Sequence, residues 1–127
     1  MAQNQEKKIV VFNDLYRIEE LLETNSILLI PHLVDFNNDP YLIETNEIFG
    51  ALRHGAYNFG FLGINTKRED GERFVNWWWN RLHDYCYSDY KRGLFTDQKW
   101  GDLIPSFFKD HTIIRDPGYD VASWNLD

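Results

Sequence analysis

Two short stretches combine hydrogen-bonding side chains with aromatics in a way that suits hydroxyl recognition. In Tyr57-Asn58-Phe59-Gly60-Phe61 an amide and a glycine alternate; on a strand this puts a polar group on one face and lets a ligand near the backbone. In Phe95-Thr96-Asp97-Gln98-Lys99-Trp100 a carboxylate and an amide stand beside an aromatic at an expected helix N-terminus. Carboxylates and amides hydrogen-bond hydroxyls while aromatics pack on the apolar faces of sugar rings, so Asn58, Gly60, Asp97, Gln98 and Trp100 together suit a carbohydrate pocket. The same residues also have a structural reading, in which Asp97 caps its helix and Asn58 satisfies a bulge.

The remaining reactive side chains say less. His32, His54, His83 and His111 are scattered, with no pair at one-turn spacing, so no zinc-protease motif is present. His32 follows Pro31 at an expected strand end, and strand ends frame ligand crevices in open α/β sheets. Asp35, Asn37 and Asp39 match the first ligand positions of a calcium loop, but Pro40 occupies the sharp-turn glycine position and Asn46 that of the final carboxylate. That stretch reads as a helix-capping loop. Cys86, between two tyrosines, reads as a small core residue, and neither a serine nucleophile elbow nor a phosphate-binding P-loop occurs.

The elements that must position these residues alternate in type. Residues 9–12 (IVVF) read as a buried strand, after which Leu15, Ile18, Leu21 and Leu22 recur at helical spacing. Residues 26–34 return to a strand pattern that Pro31 ends or confines to an edge. Asp39 as N-cap with Pro40 behind it starts a helix carrying Tyr41, Ile48, Phe49 and Leu52 along one face, closed by Gly55. Residues 57–64 form a third strand candidate weakened by Gly60 and Gly63. The longest helical pattern, residues 70–87, centres its apolar arc on Trp78, and three adjacent tryptophans cannot all face one surface. Asp97 opens a further helix that Pro105 shortens or kinks, and Thr112 begins a last short strand. The expectation is an α/β fold with a mixed, largely parallel sheet flanked by helices.

Composition bounds the function classes. The 127 residues suit one domain, expected to run over 1–127 with residues 1–8 as a polar lead-in. Twenty acidic against 13 basic side chains give a net charge of −7, which disfavours tracking of a phosphate backbone and so a nucleic-acid partner. With Cys86 alone, neither an intrachain disulfide nor a cysteine-based zinc site can be built. The polar start and short apolar runs point away from a signal peptide or membrane span, so a soluble, cytoplasmic chain is expected.

Four segments, YNFGFLGIN at residues 57–65, RFVNWWWNRL at 73–82, GLFTDQKWGDLIP at 93–105 and IIRDPGYDVASWNL at 113–126, occur in an order and spacing with a known counterpart. Together they resemble the later part of bacterial glycosyltransferases with the GT-A, nucleotide-diphospho-sugar transferase fold. The strand with Asn58 and Gly60, followed by Asp97-Gln98, is more distantly similar to glycogenin-like transferases, where such stretches line the donor-sugar pocket. The resemblance implies that Asn58 and Gly60 border the sugar, that Asp97 and Gln98 bind its hydroxyls or assist the displacement, and that His32 lies near the same crevice. It further implies a nucleotide-sugar donor, a glycan acceptor and, in complete relatives, a divalent cation (manganese or magnesium) on an Asp-x-Asp motif.

This chain departs from that pattern where the acidic motif should precede residues 9–12: Gln5-Glu6-Lys7-Lys8 stands there instead, and no Asp-x-Asp triplet occurs anywhere. The expectation is a sugar- and acceptor-side portion, assigned no cofactor or metal ligands of its own and inactive unaided. The competing expectation is a non-catalytic carbohydrate-binding or protein-interaction domain. On either reading the aromatic surplus favours exposed rings and self-association.

Overall fold

The computed structural model describes residues 16–116, so the expected strand at residues 9–12 and the aromatic tail lie outside the described residues. In chain order come α1 (Tyr16–Thr24), β1 (Ile27–Leu29), α2 (Pro40–Leu42) running into a π-helical coil at Ile43–Leu52, β2 (Gly63–Ile64) and α3 (Glu69–Tyr85). A small hairpin follows, β3 (Ser88–Asp89) and β4 (Leu94–Phe95), bridged by a 3-10 turn at Tyr90–Arg92. A second 3-10 turn, Lys99–Leu103, leads into α4 (Ile104–Phe107) and β5 (His111–Ile113).

Local chemistry explains most of these boundaries. The backbone N–H and side-chain amide of Asn25 both donate to the Leu21 carbonyl, ending α1 as the Thr24-Asn25 pair predicts. Asp39 accepts from the N–H groups of Tyr41 and Leu42, so the Asp35–Asp39 loop caps a helix through its own oxygens. Pro105 sits in the first turn of α4, where its missing N–H costs nothing, and the segment before it is a 3-10 turn: the expected helix is short.

The core is organised around β1, whose residues are fully buried. Ile27 and Leu29 point into a cluster with Phe74, Ile104 and Phe108, against which Trp77 and Trp78 are half-buried. Leu28 and Ile30 face the other way, onto Ile18 of α1 and Ile114. This two-residue alternation places helices on both faces of one strand. Phe74 stacks on Trp78 at 5.5 Å and meets Phe108 edge to face, while Trp79 stays 70% exposed; one of the three tryptophans is indeed left out. At the N-terminal end of α3, Gly71 is required by space, since a Cβ there would lie 1.9 Å from the Asn65 carbonyl oxygen.

The sheet is mixed, in the order β2-β1-β5, but not largely parallel. β5 runs parallel to β1 and β2 antiparallel. The chain leaves the carboxyl end of β1, passes through the π-helical coil and returns at that same end, where Pro31 pairs with Tyr57; a return without crossover can only run back antiparallel. One further expectation changes: Cys86, read as a small core residue, is an exposed free thiol. The face carrying Tyr41, Ile48, Phe49 and Leu52 is exposed.

The parallel pair is fixed at its start by a polar knot. Ser26, with no exposed surface, donates its hydroxyl to Asp110 Oδ2, which also accepts from Arg68 Nε at 2.8 Å. The Asp110 carbonyl takes the N–H groups of Ser26 and Ile27, and Arg68 reaches on to the Glu23 carbonyl at 3.2 Å. The Ser26 and Arg68 hydrogen bonds hold the Asp110 carboxyl below the usual carboxylate range. Asp110→Asn is expected to cost about 1–3 kcal/mol at neutral pH, read by urea denaturation, because a charge-assisted acceptor becomes a neutral one. The stabilisation from a lowered carboxyl pKa is present above the unfolded value of about 3.9 and lost as pH falls through the folded one, so wild type should lose this increment below about pH 4 while Asp110→Asn does not.

Candidate functional site

The residues singled out by type converge, with one exception, beyond the carboxyl end of β1. Asn58 N–H donates to the Ile30 carbonyl at 2.8 Å and His32 N–H to the Ala56 carbonyl at 2.9 Å, so residues 56–58 lie alongside residues 30–32. The His32 ring donates from Nδ1 to the Gly55 carbonyl at 2.7 Å. Gly55 is buried with φ +123, a conformation side chains avoid, and a Cβ there would press on the Gln98 carbonyl. Thus the glycine that closes the helical segment also admits the Asp97-Gln98 turn.

Gln98 ties the cluster together. Its Oε1 accepts from Phe59 N–H at 3.1 Å and its Nε2 donates to the His54 carbonyl at 3.0 Å, so both ends of one carboxamide span the loop from 54 to 59. Asp102, one turn on, accepts from Ala56 N–H at 2.8 Å and pairs with Lys99, whose Nζ also donates to the Leu52 carbonyl. A short 3-10 segment therefore supplies backbone partners for a loop that has no sheet of its own.

Asn58 and Gly60 lie in a turn rather than on a strand. The Asn58 side-chain oxygen accepts from Gly60 N–H at 3.0 Å, and this local bond replaces the expected strand pairing until Gly63. Asp97 does not cap a helix: Thr96 turns the chain at φ +45, Gln98 takes the cap position without a side-chain cap, and the Asp97 carboxylate accepts from the Thr96 hydroxyl at 3.2 Å. The Asp97 carbonyl receives Trp78 Nε1–H at 3.3 Å, which anchors the turn to α3. Trp100 is the exception. Its indole N–H donates to the Tyr85 carbonyl and its ring meets Trp77 edge to face, so it packs on α3 and lines a separate groove with Arg92 and Asp102.

Sequence spacing missed His54. Its ring lies 4.4 Å from that of Phe95 and 5.4 Å from that of Phe49, with Nε2 at 3.3 Å from the Tyr90 hydroxyl. Burial chiefly, then the charges of Arg53 and His32, pull its pKa below the ordinary value, against the Phe49 and Gly50 carbonyls that raise it. Arg53 itself lies over the Tyr90 ring at 4.0 Å and near that of Phe49 at 4.9 Å. Twenty-two positions separate His32 from His54, but Pro31 and Gly55 mark the same end of the sheet, and that shared end was the available signal.

The chemistry on offer is hydrogen bonding to hydroxyls by imidazole, amide and carboxylate groups. A divalent cation does not fit. Among the described residues no group of three or more His, Cys, Asp or Glu side chains could hold one, and the oxygens of Asp35, Asn37 and Asp39 accept from nearby backbone N–H groups. No described helix is long and apolar enough to cross a membrane.

Comparison with known proteins gives two relatives and no family. No family model matches the chain, and no solved structure does. YfnF, an uncharacterized protein of Bacillus subtilis (strain 168), is 33% identical over 72 residues, covering 56% of this chain and 23% of that protein. YfnD, an uncharacterized protein of the same organism, is 26% identical over 98 residues, 76% of this chain and 30% of its own length. The chain thus spans less than a third of either relative.

Two measurements check this geometry. Gln98→Ala should strip exchange protection from Phe59 N–H, at a cost of about 1–3 kcal/mol for the two groups left unpaired, while leaving β1 amides protected. By NMR titration His54 should ionise below the ordinary value of about 6.5, and Arg53→Gln should raise it. The sign follows: the stabilisation from a lowered histidine pKa is present above that ordinary value and lost as pH falls through the folded one.

Proposed function

We propose that this chain is the sugar- and acceptor-side portion of a nucleotide-sugar-dependent glycosyltransferase of the GT-A type, and that it does not transfer sugar unaided. The observation that carries this reading is the Gln98 clasp. Two of the segments that resemble such transferases, residues 57–65 and 93–105, lie far apart in the chain and meet beside residues 30–32 at the carboxyl end of a central strand, where open α/β sheets take their ligands. Asn58 and Gly60 border the donor sugar, and Asp97 is the carboxylate that meets its hydroxyls. Gln98 shapes the pocket through the backbone rather than touching sugar. That the chain spans less than a third of either relative is compatible with its being one portion of a longer protein.

The sequence has no Asp-x-Asp triplet, and among the described residues no other donor set is present for the cation that would neutralise a departing nucleoside diphosphate, so no step is routed through a metal. The expected result of an NMR titration with uridine- and guanosine-diphosphate sugars is a saturable shift of the Asn58, Gly60 and Asp97 amides that the bare diphosphates do not reproduce. Release of the nucleoside diphosphate, with or without manganese, should not be detected; measurable turnover would overturn the claim of inactivity. A second reading, a protein-interaction domain, is favoured by the outward-facing Phe36, Tyr41 and Leu52. It would prevail if nucleotide sugars moved none of those amides and sedimentation showed a stable dimer.

A further inference from the structure

We propose that the cavity between the end of β1 and the π-helical coil is a separate subsite for one neutral hexopyranose ring, the acceptor sugar of the reading above, on which this inference rests. The cavity encloses about 200 Å³ and is lined by His32, Leu33, Asn46, Phe49 and His54 among others. At a liquid volume of roughly 30 Å³ per water that is room for about seven waters, the scale of a single hydroxylated ring and not of a nucleotide.

The lining selects the chemistry. Phe49, 58% exposed and edge-on to His54, offers an aromatic surface to the apolar face of a sugar. Asn46 accepts from the Thr45 hydroxyl through Oδ1, and its Nδ2 makes no hydrogen bond within the described residues, so it can donate to a ligand hydroxyl. The His54 ring, already bonded to the Tyr90 hydroxyl through Nε2, forms a wall of the cavity beside Phe49 and supplies shape there rather than a hydrogen bond. An anion is disfavoured because the cavity lies toward the carbonyl end of the coil and its lining includes neither Lys nor Arg. A metal is disfavoured because two histidines without a third ligand leave the coordination incomplete. Wide π turns occur mostly as short insertions and are frequent at functional sites; here one extends over ten residues against the cavity.

The test is a titration of the full chain with methyl glucoside, methyl galactoside and methyl N-acetylglucosaminide, following the His54 ring proton and the Asn46 side-chain amide by NMR. At least one glycoside should give a saturable shift with a Kd of about 1–10 mM, the range a ligand of about 13–16 non-hydrogen atoms can reach. Asn46→Ala and Phe49→Ala should each weaken it about fivefold or more, and Asn58→Ala should not. Both altered side chains are partly or largely exposed, so the fold should survive them. Absence of saturation with all three glycosides, or equal binding of cyclohexanol, would overturn the subsite. Nucleotide-sugar shifts at Asn58 and Asp97 with a silent cavity would overturn this inference alone. Glycoside binding in the cavity, with Asn58 and Asp97 unmoved by the nucleotide sugars, would instead overturn the donor reading.

Discussion

The carboxylate of Asp110 is the constraint on which the rest of the molecule hangs. It collects a buried serine hydroxyl and an arginine from elements more than forty residues apart, while its own carbonyl fixes the first two N–H groups of the β1 segment. Parallel strands lack a hairpin to set their register, so something else must choose it. Here the choice is electrostatic: any slip of β5 along β1 would leave the Ser26 hydroxyl buried without an acceptor and Arg68 without its anion. Through Arg68 and the Glu23 carbonyl the knot also sets where α1 ends and α3 begins.

The two ends of β1 consequently have different physical characters. The amino end is tied by charged groups and closed by helices. The carboxyl end is built from turns whose backbone polar groups are satisfied by Gln98, Asp102 and Lys99. Loops held by side chains rather than by a ladder open at lower free energy than the strand they extend, which places the deformable part of the fold where a ligand would arrive. This division also separates roles among residues that look alike in sequence. An amide whose oxygen and nitrogen both serve backbone partners has little left for a sugar, and this is the state of Gln98; the Asn58 oxygen is likewise taken by Gly60. Asp97 commits one oxygen to Thr96, a neighbouring hydroxyl that a ligand hydroxyl can replace at little cost.

Sequence reading recovered elements whose signals are local. Residues 15–22 at helical spacing became α1, Asp39-Pro40 began a helix, the arc centred on Trp78 became α3 within two residues of its expected ends, and Pro105 marked a short α4. What it missed depends on competition between local and distant partners. A strand at residues 57–64 is opposed by the Asn58 side chain, which closes its own turn before any neighbour can pair. The wide coil at Ile43–Leu52 carries no signature in a pattern read at 3.6 residues per turn, so the expected helix gave no sign of π winding. Gln98 could be recognised as a candidate by type, but its partners lie about forty positions away, and no spacing rule joins them.

The π-helical coil links these points. An α-helix spanning the same residues would tend to turn Ile48, Phe49 and Leu52 together toward the sheet. The wider winding instead leaves all three exposed while Phe49 keeps one edge against His54 and the cavity beside it. The fold thereby forgoes part of the about 1.5–3 kcal/mol that full burial of each such side chain would contribute. A marginally stable domain retains such an arrangement only where the surface has another use or another cover. The cavity gives Phe49 that use at its inner edge. Tyr41 and Leu52, which do not line it, present the outer apolar surface that separates an enzyme portion with a covered face from a free-standing binding domain.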